Sequence, residues 1–137
     1  MNILIVEDNL AHQKITEYVL KRNKLEAKIF VVHDGQEVLD YLYHKNGFSN
    51  PHEFPIPHLI LLDLNLPKRD GREVLKIIKE DSTLKDIPII IVSTSNREED
   101  INYAYQLGVI GYVSKSLGFD KFCVELGEIV KKMIEKN

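Results

Sequence analysis

The 137-residue chain has one cysteine, no tryptophan, five prolines and no excess of basic charge: 18 Lys and Arg stand against 21 Asp and Glu, a formal net charge of −3. Each scarcity excludes something. Cys123 has no partner for an internal disulfide and cannot build a zinc site alone, which points to a reducing compartment. Without a basic surplus, the electrostatic attraction on which nucleic-acid affinity draws is missing, so DNA and RNA are not expected as ligands. No apolar run reaches the length of a membrane span, and no basic region precedes the first aliphatic run, so neither membrane insertion nor a signal peptide is expected. Cytoplasmic residence is the corresponding expectation. What the chain does have is 44% hydrophobic and 28% charged residues, enough apolar surface to close one core and too few residues for two. One domain over residues 1–137 is expected, with no output domain.

Short aliphatic runs alternate with longer segments of helical period. The runs are Ile3-Leu4-Ile5-Val6, Ile29-Phe30-Val31-Val32, Leu59-Ile60-Leu61-Leu62 and Ile89-Ile90-Ile91-Val92, with a weaker fifth at Gly111-Tyr112-Val113. Runs without polar alternation suit strands buried on both faces, as in a parallel sheet covered by helices. Between them apolar residues recur at spacings of three and four, as at Val74, Leu75 and Ile78 or Phe122, Leu126, Ile129, Val130 and Met133. Five helices are predicted. Three of them open with an acceptor and a glutamate three residues on, Asp34 with Glu37, Asp70 with Glu73 and Asn96 with Glu99, the spacing of a capping box. Gly108 reads as a left-handed helix stop. Residues 43–58, with Gly47, Pro51, Pro55 and Pro57, carry no period and read as a long surface loop.

Strand and helix alternating five times give an α/β doubly wound sheet, joined by right-handed crossovers, and 2-1-3-4-5, the flavodoxin-like order, is one of its two common solutions. Ligands of such sheets gather at the carboxyl ends of the strands, near the point where the winding reverses. The residues that follow the runs are Glu7 and Asp8, then Asp63, then Ser93 and Thr94, then Lys115. In that order the first and third strands are neighbours about 4.8 Å apart, so three carboxylates converge. Crowded like charges need a cation or a proton between them, and hard oxygen ligands suit magnesium. A metal, a lysine and a hydroxyl around one aspartate describe a place that holds a phosphoryl group, with Asp63 as the nucleophile.

Val6-Glu7-Asp8-Asn9, Leu62-Asp63-Leu64-Asn65-Leu66-Pro67 with Asp70-Gly71, Ile91-Val92-Ser93 and Gly111-Tyr112-Val113-Ser114-Lys115 together resemble the signatures of the receiver domain of two-component response regulators. The run from Asp63 to Leu75, with the long loop before it, is most similar to the stand-alone regulators of bacterial phytochrome-type histidine kinases. The resemblance implies a phosphorylation-dependent signalling protein rather than an enzyme, accepting a phosphoryl group on Asp63 from a sensor histidine kinase, possessing only slow autodephosphorylation, and acting on a downstream protein by a surface change. It implies Mg2+ on Glu7, Asp8, Asp63 and the Asn65 carbonyl, Lys115 on the phosphoryl oxygens, Ser93 as a mobile donor and Tyr112 as the switch aromatic. The sequence departs from the family at Ser116, where proline is usual, and at Thr94, which is larger than the common residue and with Asn65 and Ser95 is expected to alter the dephosphorylation rate.

Two alternatives use the same sheet. A magnesium-dependent phosphohydrolase that forms an aspartyl phosphate needs an acid two residues after the nucleophile, where Asn65 stands. A flavin module needs a phosphate cradle after the first strand, where Glu7 and Asp8 would repel it. His12, His33, His44, His52 and His58 lack ligand spacing and read as surface residues; Tyr18, Tyr41, Tyr43, Tyr103 and Tyr105 read as buried or half-buried; Cys123 reads as a packing residue. Surplus apolar surface on the last helix offers a homodimer contact.

Overall fold

Alternation of side chains along each strand divides the aliphatic runs between two cores, one on each face of the sheet. In the computed structural model, which describes residues 1–23 and 26–135, the strands are β1 (Asn2–Val6), β2 (Lys28–Val32), β3 (Leu59–Leu62), β4 (Ile89–Ser93) and β5 (Gly111–Ser114). The helices are α1 (Leu10–Arg22), α2 (Gly35–Leu42), α3 (Gly71–Glu80), α4 (Glu98–Gln106) and α5 (Phe119–Glu135), with a 3-10 turn at Lys115–Leu117. All strand pairs are parallel and their order is β2-β1-β3-β4-β5, the expected one of the two common solutions. Leu4, Val6, Ile60, Leu62, Ile89 and Ile91 meet α2 and α3 through Val38, Leu39, Val74, Leu75 and Ile78. Ile3, Ile5, Leu59, Leu61, Ile90 and Val92 meet α1 and α5 through Val19, Leu20, Phe122, Leu126 and Val130. The three central strands are buried along almost their whole length, whereas the edge strand β2 exposes Lys28.

The helix starts carry two of the three predicted boxes in altered form and lack the third. Asp34 accepts from Glu37 N at 2.8 Å, but the Glu37 carboxylate reaches past it to His33 N at 2.7 Å. Asp70 caps Arg72 N at 2.7 Å, while Glu73 turns outward to Arg69. Asn96 is not the cap of α4: that helix begins at Glu98, and Ser95 Oγ accepts from Arg97 N at 3.3 Å. Arg97 holds the cap position and no side chain caps the helix; the Ser95 hydroxyl is itself tied to Asp100 of α4. Gly108, at φ +87°, ends α4 as expected.

Residues 43–58 form no helix or strand, yet they are pinned to the core. Phe48 and Phe54 pack on Tyr41 with ring centroids 5.5 and 5.7 Å away, and the Tyr41 hydroxyl donates to Pro55 O at 2.9 Å. Two of the histidines expected to be solvated also take part, His44 against Phe54 O and His58 as acceptor from Asn2 N. Tyr18, Tyr43 and Tyr105 are exposed rather than half-buried, because they lie outside the stripes that face the sheet.

One close approach fixes the path of the chain after β3. A Cβ on Gly71 would sit 2.2 Å from Asp63 O and 2.6 Å from Leu64 Cα, so α3 enters against the backbone that follows β3 only because this residue is glycine. Gly71→Ala is expected to cost about 1–3 kcal/mol of stability, the usual penalty of overpacking, measurable by urea unfolding. A loss below a few tenths would show that the contact yields freely.

Candidate functional site

Register places the acids. Val6 pairs with Leu62, so Glu7 and Asp63 are the next residues along adjoining strands, and Asp63 N donates to Val6 O at 3.2 Å. Glu7 and Asp63 are 3% and 4% exposed, whereas Asp8 faces solvent. One ligand oxygen from each of Glu7, Asp8 and Asp63 lies within 4.8 Å of the others. Asn65 N donates to Asp63 Oδ1 at 2.9 Å, curling the chain after β3 around the pocket.

Lys115, the first residue after β5, reaches into this cluster. Its ammonium pairs with Glu7 Oε1 and lies 3.0 Å from Asp63 Oδ2, its side chain only 7% exposed. The lysine therefore bridges two of the three acids, neutralising charge that the low-dielectric pocket would otherwise not tolerate. Burial nevertheless pushes the Glu7 carboxyl up to about 6, with Lys115 opposing the shift. Because the folded-state value lies above the unfolded one, this group favours the fold most below the ordinary carboxylate value of 4.5 and loses that contribution as pH rises through about 6.

After Lys115 the chain turns into the 3-10 segment, and Ser114 Oγ accepts from Ser116 N at 3.2 Å. Ser116 thus supports a turn held by hydroxyl bonds in place of the usual proline, and the lysine still reaches the acids. Ser93 is fully buried, and its hydroxyl oxygen accepts from Ser95 N at 3.3 Å, so it is engaged by its own loop. Tyr112 is half-buried against the core, with its hydroxyl donating to Ser95 O at 2.8 Å. Asn65 Nδ2 donates to Thr94 Oγ1 at 3.0 Å, joining the loops after β3 and β4 at the pocket mouth.

One histidine that the sequence places near the acidic pair but reads as an exposed residue joins the cluster. His12 Nδ1 lies 3.2 Å from Lys115 Nζ, and burial together with the lysine's charge lowers its affinity for a proton. The signal was its position four residues after Asp8, which places it over the pocket once α1 starts at Leu10. His33 Nδ1 lies 3.2 Å from the Glu7 carbonyl oxygen, on the backbone side of the cluster, while His44 and His58 are engaged elsewhere, with Phe54 O and Asn2 N. Cys123 is partly buried against the second core, and burial raises its thiol, consistent with packing.

The donor set fits a hard divalent cation: carboxylate oxygens from two strand ends, one of them solvent-facing so that waters complete the shell. Among the described residues no helix is long and apolar enough to cross a membrane.

Comparisons with known proteins agree with this geometry. The chain is 41% identical to response regulator Rcp1 of Synechocystis sp. over 114 residues, 83% of this chain and 76% of the relative. It superposes with a TM-score of 0.85 on the Mn2+-bound form of Rcp1, at 37% identity, covering 93% of this chain and 90% of that one. With the phosphorylated cyanobacterial phytochrome response regulator RcpA the TM-score is 0.88 at 38% identity, covering 99% and 95%. The profile of the response regulator receiver domain matches residues 3–126, and with that match, the sheet order and the acid cluster, the chain belongs to the receiver-domain family of two-component response regulators.

Proposed function

We propose that residues 1–137 act as one receiver domain whose Asp63 accepts a phosphoryl group from the phosphohistidine of a sensor histidine kinase, of the phytochrome-associated kind, in the cytoplasm. The observation that carries the reading is the buried Asp63 carboxylate held beside Glu7 and Asp8 and paired with Lys115. A carboxylate oxygen of Asp63 forms the new P–O bond as the P–N bond to the donor imidazole breaks. Glu7, Asp8, Asp63 and the Asn65 carbonyl would hold Mg2+, with Glu7 acting mainly through water; Mn2+ in the Rcp1 structure supports a divalent ion in such a cluster. Bound there, the ion supplies charge that offsets the crowded phosphoryl oxygens.

Lys115 exchanges a carboxylate partner for a phosphoryl oxygen, a small movement for a flexible stem carrying a compact charge. Ser93 leaves its own loop to donate to the phosphoryl group, and Tyr112 follows the space it opens. The readout is a population shift at the surface of α4, β5 and α5, passed to a downstream protein or a second copy of the chain. Water attack on phosphorus later restores the carboxylate, so the protein resets its own signal without turning over an external substrate.

Incubation with acetyl phosphate and Mg2+, followed by intact-mass measurement, tests the reading: one added phosphoryl mass is expected, and an unchanged mass would refute it. The Asn65–Thr94 bridge narrows the approach of water. Thr94→Ala removes it and is expected to speed loss of the phosphoryl group about 5-fold, the kinetic equivalent of one hydrogen bond near ~1 kcal/mol. Release of inorganic phosphate after removal of the donor measures this, and an unchanged or slower rate would contradict it.

A further inference from the structure

A second, partly buried polar network lies beside the pocket, and the phosphoryl chemistry does not use it. Arg72, in the first turn of α3, sets Nε 2.7 Å from Asp100 Oδ1 and Nη2 2.7 Å from Asp100 Oδ2, a two-bond fork onto a carboxylate that is 5% exposed. Ser95 Oγ donates to the same Oδ2 at 2.5 Å. The Ser95 carbonyl accepts from the Tyr112 hydroxyl, and its amide donates to Ser93 Oγ. Arg72 Nη1 also reaches Asp70 at 3.1 Å and Leu64 O at 3.4 Å, the carbonyl one residue beyond Asp63. Arg72 holds the Asp100 carboxyl well below the ordinary range, so the pair stays charged at any pH near neutrality.

Ser95 is where these bonds meet. Its side chain is tied to α4, its carbonyl to β5, and its amide to the hydroxyl that must swing toward a phosphorylated Asp63. An exposed Arg–Asp pair holds little, but one built from two parallel bonds onto a buried acid fixes direction as well as distance. The loop from Thr94 to Arg97 cannot move as a unit without giving up either the Ser95–Asp100 bond or the alignment of α4 against α3.

We propose that Arg72 and Asp100 are positioning residues that act through Ser95 to hold the loop after β4 in the resting arrangement, setting how strongly the domain resists activation. The proposal rests on the Asp63 reading. Coupling between two sites is reciprocal, so a phosphoryl group on Asp63 must weaken the Arg72–Asp100 pair by the factor by which that pair disfavours the phosphorylated arrangement.

The test uses beryllofluoride with Mg2+ as a phosphoryl mimic on the full chain. Asp100→Asn and Ser95→Ala are each expected to bind it about 5-fold more tightly than the parent, with the double variant no tighter than the better single one. In a thermal-stability cycle of Arg72→Gln and Asp100→Asn, the coupling between the two positions is expected to fall when beryllofluoride is bound. Ser95→Ala removes no charge and keeps the question open to measurement should the charged variants not fold. A parent that binds the mimic alongside variants of unchanged or weaker affinity would overturn the latch alone, as would equal coupling in the two states, the behaviour of a purely structural pair. A parent that does not bind would remove the Asp63 reading and this inference with it.

Discussion

Asp63→Asn is expected to abolish phosphoryl acceptance completely, both from a phosphorylated kinase and from acetyl phosphate, while the domain stays folded. The amide keeps the volume of the carboxyl group, and Lys115 keeps Glu7 as a partner. What is lost is the anionic oxygen that forms the bond to phosphorus, since an uncharged amide is a poor nucleophile and its mixed anhydride does not exist. The substitution also removes one ligand from the three-carboxylate cluster, so Mg2+ binding weakens in the same variant. Intact mass and far-ultraviolet dichroism together decide it. A folded variant that still gained a phosphoryl mass would move the acceptor to another side chain.

Lys115→Met carries the second large effect, and here the expected loss is stability as well as chemistry. Glu7 and Asp63 would face one another in a buried pocket without the ammonium that now bridges them. Removing one partner of a buried ionic group commonly costs about 3–5 kcal/mol, because the remaining charge is left uncompensated. The deficit should be largest in chelator at mildly alkaline pH, where Glu7 is ionised. It should shrink toward about pH 5, as Glu7, already raised by burial, takes up a proton. Added Mg2+ should restore much of the loss by replacing the missing positive charge, since a ligand that binds only the folded state stabilises it. Phosphorylation should remain slow even then, because no ammonium meets the phosphoryl oxygens. Thermal melts with and without Mg2+ measure this; a variant as stable as the parent in chelator would contradict the pairing.

How much of this was legible in the sequence depends on how far apart the cooperating residues lie. The acids at the ends of β1 and β3 were readable because each follows an uninterrupted aliphatic run, and parallel neighbours in register bring run ends together. Lys115 was readable because it follows the fifth, weaker run, at the same edge of the sheet as the acids, two strands from β3. Arg72 and Asp100 were not: 28 residues apart on different helices, they look like two ordinary surface charges until α3 and α4 are placed side by side. The misplaced cap at Asn96 has the same origin, since Ser95 is drawn to Asp100 and α4 starts one residue later than local spacing suggests. His12 was legible as a residue one turn into α1 near the acids but read as exposed, because its contact with Lys115 depends on where the β5 end meets α1. In residues 43–58 the lack of periodicity was read correctly as lack of secondary structure, but it hid Phe48 and Phe54, which pack edge-on against each other at 5.0 Å. A sequence period reports regular elements and is silent about irregular chain that is nonetheless ordered.

The central claim is that one particular oxygen carries the phosphoryl group, and borohydride trapping with peptide mapping tests it most directly. Reduction of an aspartyl phosphate releases inorganic phosphate and leaves homoserine in place of the aspartate. After treatment with acetyl phosphate and Mg2+, the account predicts homoserine at position 63 and at no other acidic position. Trapping at Asp8 or another acid, or an intact Asp63 in protein that had gained the phosphoryl mass, would contradict it.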